Sequence, residues 1–179
     1  MMNDVQRKEQ ERIIDQQNFR KAYAFALEVP GADIKALEQL VLDYGDSFVA
    51  YNFARDIPGA DIDKLQQVVL KHGNVLSVSE FARNVSGANI EALQEVVLEH
   101  GDALDAYMFA RNVPGANIEA LQEVVLNYEM GLNAYMFARD IPGADVEKLQ
   151  QVVLDHGDGG LIKKFEEEIL NNTDDDGPR

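Results

Sequence analysis

Three histidines stand in register: His72, His100 and His156 are separated by 28 residues or a multiple of it. Evenly spaced imidazoles could form a row of metal ligands or proton shuttles. Two facts point to packing instead. Tyr44 and Tyr128 fill the same slot in the other copies of the pattern, so the position selects an aromatic shape rather than a ligand. Helices that stack do so at roughly 8–10 Å, too far apart for histidines of neighbouring copies to share an ion at about 2 Å. Arginine forms a second row at Arg55, Arg83, Arg111 and Arg139, with Leu27 in the first copy. A guanidinium ladder could grip phosphate or carboxylate bidentately. In an acidic chain, each arginine is expected instead to pair with a nearby carboxylate and to lie over the tyrosine one turn earlier (Tyr51, Tyr107, Tyr135).

Carboxylates are abundant but recur as caps and solvated faces, with no isolated pair suited to acid–base work. Asp61 and Asp63 lack the further ligands and the glycine of an EF-hand loop. Phosphate-binding loops, dinucleotide fingerprints, serine elbows and His-Glu-x-x-His are all missing, and there is no cysteine to act as nucleophile or zinc ligand. The chain therefore reads as a non-enzyme with no cofactor and no metal.

The elements that carry these rows come from an internal period. Copies begin at Tyr23, Tyr51, Ser79, Tyr107 and Tyr135, each 28 residues after the last, the signature of a repeat array. At the middle of each copy stands a breaker: Val29-Pro30-Gly31, Ile57-Pro58-Gly59, Val113-Pro114-Gly115 and Ile141-Pro142-Gly143, with Val85-Ser86-Gly87 in the third. Asp33, Asp61, Asn89, Asn117 and Asp145 follow as helix N-caps, and Gly45, Gly73, Gly101 and Gly157 are expected as left-handed C-caps. The stripe Ala106, Phe109, Ala110, Val113 marks the buried face of the first helix in its copy. Where the fourth copy has Tyr128-Glu129-Met130-Gly131, the C-cap glycine is absent, which predicts a longer second helix or a different turn.

These patterns predict an all-α chain: an α-solenoid of five two-helix repeats with N- and C-terminal capping helices. One helical-repeat domain spans 1–171, with a capping helix at 4–21, repeats at 23–50, 51–78, 79–106, 107–134 and 135–160, and a second capping helix at 161–171. Residues 172–179 are expected to be a disordered acidic tail.

A net charge of −16 and a pI near 4.4 argue against direct nucleic-acid binding, which needs a basic face, and against anionic membranes. No apolar run approaches the roughly 18 residues of a membrane span, and the polar N-terminus is no signal peptide, so a cytoplasmic protein is expected. A protein partner with a basic surface suits the charge.

Positions that vary between copies are free to serve a partner. Asn52, Glu80, Met108 and Met136 occupy one such position, beside Tyr107 and Tyr135, and the joints Ser47-Phe48-Val49, Asn74-Val75-Leu76 and Met130-Gly131-Leu132 form another. An exposed Met/Tyr strip would be an adaptable contact surface; ordinary core packing accounts for the same residues equally well. The third copy is the most acidic, at −5, and supplies an acidic surface of Glu91, Glu95, Glu99, Asp102 and Asp105.

The Phe-Ala-Arg-Asp-Ile-Pro-Gly-Ala-Asp-Ile pattern resembles short helical-hairpin repeats of uncharacterised phage and bacterial reading frames. In general form it is similar to α-solenoids of the HEAT and tetratricopeptide kind, without their signature residues. The resemblance covers about residues 23–158. It implies a non-catalytic protein-binding solenoid, in phage form a small inhibitor of a host defence protein. Two alternatives stand beside it: an acidic DNA mimic that occupies the nucleic-acid site of a restriction or CRISPR-type enzyme, and a structural or self-assembling repeat protein.

Overall fold

Each copy of the 28-residue pattern folds as two short helices joined by a tight turn. The computed structural model describes residues 2–171, so the acidic tail expected at 172–179 lies outside the described residues. The chain divides into two compact units between Leu93 and Gln94. The first holds α1 (Asp4–Asp15), α2 (Phe19–Glu28), α3 (Ile34–Tyr44), α4 (Ser47–Asp56), α5 (Ile62–His72) and α6 (Val75–Asn84). The division falls inside α7 (Ile90–His100). The second unit continues with α8 (Ala103–Asn112), α9 (Ile118–Asn127), α10 (Gly131–Asp140), α11 (Val146–His156) and α12 (Gly159–Phe165), extended by a π-helical turn at Glu166–Leu170. The described residues contain no strand, and no described helix is long and apolar enough to cross a membrane.

Local chemistry explains the hairpins. In every copy the residue before the Pro-Gly pair accepts a hydrogen bond from the alanine three residues on, as in Ala60 N–H to Ile57 O at 3.2 Å. The glycine at the third turn position has φ of 83–86° at Gly31, Gly59, Gly87, Gly115 and Gly143, the left-handed value a type II turn demands. Ser86 replaces the proline without loss of the turn, because Ala88 N–H still reaches Val85 O at 3.3 Å. The glycine is thus required and the proline optional. The expected caps form: Asp33, Asp61, Asn89, Asn117 and Asp145 each accept a backbone N–H from the third residue of the helix that follows.

Each hairpin buries the same three layers. Leu37, Leu65, Leu93, Leu121 and Leu149 are fully buried, as are Phe53, Phe81, Phe109 and Phe137, with Ala22, Ala50, Ala106 and Ala134 allowing close helix approach. Within the first unit α2 packs on α3 and α4, and α4 on α5 and α6; within the second, α8 packs on α9 and α10, and α10 on α11 and α12.

A buried polar side chain on each second helix ties that helix to the next hairpin. Gln66 Oε1 accepts the main-chain N–H of Asn89 at 2.8 Å while its Nε2 donates to the Asn89 carbonyl at 3.2 Å. Gln94 treats Asn117 in the same way, at 2.8 and 3.4 Å. Glu38 and Gln122 accept from Asp61 and Asp145, at 2.6 and 2.7 Å. Gln10 on α1 accepts from Asp33 N–H at 2.9 Å, so α1 occupies the place of a second helix ahead of the first hairpin. At the other end Phe165 and Ile169 are buried 28 residues after Phe137 and Ile141, and α12 is placed as a sixth first helix.

Several details depart from the sequence reading. The capping helix expected at 4–21 ends at Asp15, because Gln17 turns left-handed (φ 50°) and Asn18 caps α2 through Lys21 N–H. On that helix Val5 projects outward and Ile13 is buried in the core. The last helix starts at Gly159, two residues earlier than expected, with Asp158 as its cap. Among the expected C-cap glycines, Gly45 is left-handed (φ 74°), but Gly73 and Gly157 are extended, at −80° and −83°. At these two glycine is needed for space: a Cβ would lie 2.4 Å from the carbonyl oxygen of Val69 or Val153. After α9 the chain takes a different turn through Glu129 (φ 52°), and the helix is not lengthened.

Two stability tests follow. Ser86→Pro is expected to raise the unfolding free energy by about 0.4–1 kcal/mol through the unfolded chain, read as a small rise in Tm. Gln66→Ala leaves the Asn89 N–H and carbonyl without their partner and is expected to cost about 1–3 kcal/mol in urea denaturation.

Candidate functional site

On the first helix of each hairpin, Phe or Tyr and two small residues turn inward, which leaves the second helical residue at the surface. The second residue is Phe48 in α4, Leu76 in α6, Leu104 in α8 and Leu132 in α10. These are exposed by 70%, 69%, 50% and 56%. Within the first unit, α4 and α6 pack together and a groove of about 330 Å³ lies between them, lined by Phe48, Tyr51, Asn52, Arg55, Leu76 and Glu80. A neighbouring groove of about 410 Å³ runs from Phe48 toward Arg20 and Tyr23. Within the second unit, Leu104 and Met108 lie one turn apart on α8, and Leu132 and Met136 one turn apart on α10. Met108 is 45% exposed, Met130 just ahead of α10 is 52% exposed, and Met136 is half-buried.

The sequence-derived strip is only partly at the surface. Tyr107 and Tyr135 are buried, which corrects the expectation of an exposed Met/Tyr strip: their rings complete the inner face and only their hydroxyls reach the network described below. Asn52 is also buried, its Nδ2 donating to the Phe48 carbonyl at 2.8 Å. Glu80 is half-buried and pairs with Arg83 at 3.0 Å. Glu91 in the first unit and Glu95, Glu99 and Asp102 in the second are exposed, and Asp105 is half-buried. Asp102 and Asp105 form a capping box at the start of α8, where Asp102 Oδ1 accepts from Asp105 N–H at 2.9 Å and Asp105 Oδ2 from Asp102 N–H at 3.1 Å.

The arginine row pairs as expected within the protein. Arg55 donates from Nε and Nη2 to Asp56 at 2.7 Å each and from Nη1 to the Tyr51 hydroxyl at 3.1 Å, with its guanidinium 4.9 Å from the Tyr51 ring centre. Tyr23 donates to the same Asp56 at 2.7 Å across the helix pair. In the second unit Arg139 grips Asp140 at 2.7 and 2.9 Å and Tyr135 at 3.1 Å. Asp140 also accepts from Tyr107, which in turn accepts from Arg111 at 2.7 Å, and Tyr135 donates to Glu168. Hydrogen bonds from Arg139 hold the Asp140 carboxyl down at about 2, and burial followed by the bond to Asp140 pushes the Tyr107 phenol up. These guanidiniums are committed to structural ties.

His100 and His156 are exposed, lying 3.7 Å from Glu99 and 3.8 Å from Glu129, and the His72 ring lies against Gly45. Among the described residues no group of three or more His, Asp or Glu side chains is arranged to hold a metal ion. What the surface presents is therefore apolar contact area next to carboxylates. Phe48, Leu76 and Leu132 fell within the varying joints noted in the sequence, whereas Leu104 went unnoticed there. Its signal was an apolar residue off the Ala106–Val113 stripe: five residues before Phe109 is about 140° around the helix from it.

The low Asp140 pKa gives a pH test. Its folded value lies below the unfolded value of about 3.9, so its stabilisation is complete above pH 4–5 and is lost as pH falls through about 2. Asp140→Asn is expected to cost about 2 kcal/mol at neutral pH and to flatten the acid limb of stability, measured by denaturation across pH. No model of a protein family, no curated protein and no solved structure matches this chain.

Proposed function

We propose that this chain is a non-catalytic protein-binding repeat protein of the α-solenoid class, whose partner docks on the outer face of the first helices. The observation that carries the reading is the exposed apolar residue at one repeat position: Phe48 and Leu76 lining one groove in the first unit, Leu104 and Leu132 on the packed helices α8 and α10 in the second. Scattered exposed leucines are ordinary on any surface; contiguous apolar residues on packed helices mark contact surfaces. The 28-residue period runs unbroken from Tyr23 to the last copy, which supports the solenoid reading. The titratable groups with perturbed pKa values, Tyr23, Asp56, Tyr107 and Asp140 among them, are tied to arginines or to each other in structural networks, which favours binding over catalysis. A role as a small phage-type inhibitor of a host defence protein rests on the repeat resemblance alone.

Acidic mimicry of DNA is the second reading, favoured by the balance of residues 94–171, where fifteen carboxylates face five Lys and Arg. The two readings differ in what salt does. A partner held through Leu and Phe side chains survives high salt, because apolar burial is not screened, whereas a partner that mistakes the chain for a duplex is released by it. Affinity capture with the intact chain, with Phe48→Asp/Leu76→Asp and with Leu104→Asp/Leu132→Asp separates them. The expected result is a partner retained by the intact chain in high salt and lost by at least one double variant. Capture abolished by salt and indifferent to both variants would replace protein docking by mimicry.

A further inference from the structure

We infer that α8 and α10 of the second unit form a docking site for an amphipathic helix that carries Lys and Arg along the borders of its apolar face. The inference rests on the protein-binding reading and specifies its ligand. Leu104 and Met108 stand four residues apart on one helix, Leu132 and Met136 four apart on the next, and the two helices pack side by side. An i, i+4 step rises about 6 Å and packed helices are about 8–10 Å apart, so the four side chains mark out a patch of roughly those dimensions. The i and i+7 anchors of an α-helix are about 10.5 Å apart, close to the separation of packed helices, so a helix laid across α8 and α10 can set one anchor on each. Helix-in-groove recognition uses anchors of that spacing. Two of the four patch residues are methionines, whose flexible thioethers adapt to the ridges of an incoming helix.

The first unit does not offer the same surface. At the positions of Met108 and Met136 it has Asn52, buried and bonded to the Phe48 carbonyl, and Glu80, paired with Arg83. Its apolar surface is one row deep, at Phe48 and Leu76, where the second unit has two rows.

Charge selects the occupant. Asp102, Asp105 and Glu129 lie at the N-terminal ends of α8 and α10, within three residues of Leu104 or Leu132. The five cationic side chains of residues 94–171 all have acidic or phenolic partners: Arg111 and Arg139 in the tyrosine–aspartate network, Lys148 with Glu123 and Asp145, Lys163 with Glu167 and Lys164 with Glu168. At the Met108 and Met136 edge of the patch Arg111 and Arg139 are held by Asp140 and the tyrosine hydroxyls, and the edge at Leu104 and Leu132 presents carboxylates. A second copy of this chain, at −16, an acidic peptide or an anionic bilayer would each meet like charge there. A basic amphipathic helix meets opposite charge at that edge and apolar side chains beside it, over a unit whose residues 94–171 carry fifteen carboxylates against five Lys and Arg.

The test uses the full chain and a fluorescent synthetic 14-residue Leu/Lys peptide with leucine at helical spacing, followed by anisotropy. Leu104→Ser/Leu132→Ser is expected to weaken binding about tenfold or more, the equivalent of about 1.4 kcal/mol. Phe48→Ser/Leu76→Ser is expected to change it less than about twofold, and circular dichroism should show both variants folded. Scrambling the peptide so that its apolar face is lost, or exchanging Lys for Glu, should each weaken binding at least tenfold. If the scrambled peptide binds as well, or Leu104→Ser/Leu132→Ser makes no difference, the attraction is charge alone and the site is refuted. A concentration-dependent dimer of the chain that Leu104→Ser/Leu132→Ser dissolves would make a second copy the occupant and overturn the assignment. A captured protein partner that the Leu/Lys peptide fails to displace would refute the helix site while leaving the protein-binding reading intact.

Discussion

Helices of ten or eleven residues are marginal in isolation, and stacking apolar faces alone would let them slide along one another. In this protein a side chain on each second helix prevents that by bonding to the main chain of the hairpin that follows. The pairs Gln10–Asp33, Glu38–Asp61, Gln66–Asn89, Gln94–Asn117 and Gln122–Asp145 all span 23 residues. Each polar donor or acceptor is buried, so a slipped register would leave it unpaired in a low-dielectric interior, at a cost greater than the bond itself contributes. The donating N–H belongs to the N-cap residue, whose own side chain starts the next helix. A single contact therefore sets both the spacing of the hairpins and the entry point of each helix. Glu38 shows that an accepting oxygen suffices; the amide adds a second bond to the carbonyl where it is present.

A second tie runs along the first helices. Tyrosine hydroxyls reach 33 residues ahead, from Tyr23 to Asp56, Tyr107 to Asp140 and Tyr135 to Glu168. Arginines close the gaps, bonding an aspartate at their own helix end and the tyrosine one turn back. This network explains why the tyrosines are buried although they stand next to the surface methionines. Their rings fill the space between first helices, and their hydroxyls donate to carboxylates that the next helix supplies. In the third copy Ser79 has no ring to offer.

With the inner face, the clamp and the tyrosine network occupied, the outer face of the first helices carries no structural duty. Apolar residues there are not explained by folding. Phe48, Leu76, Leu104 and Leu132 contribute little to the stability of a lone chain and much to whatever covers them. The two units present different versions of this face, a single apolar row beside Asn52 and Glu80 and a double row with Met108 and Met136. That difference is a physical basis for selecting one partner surface over another.

Helix ends, turns and period were legible in the sequence because each depends on neighbours within about four residues. Pro-Gly pairs, Asp and Asn caps and the Leu–Val–Phe spacing state their own geometry, and all-α hairpins follow from them. The roles of the arginines as paired groups were also readable, by comparing copies, whereas the packing expected of the histidines was not met, since His72, His100 and His156 are exposed. What only the tertiary structure decided is which residues off the apolar stripe are covered. Tyr107 and Asn52 are buried while Leu104 is open, and no local pattern separates them. The partner that a tyrosine hydroxyl bonds lies 33 residues away and the one that satisfies a buried glutamine 23, beyond the reach of helical periodicity. The same holds for Gly73 and Gly157, whose glycine answers a nearby carbonyl rather than a left-handed cap. Burial is a property of the next hairpin's position, and that position exists only once the chain has stacked.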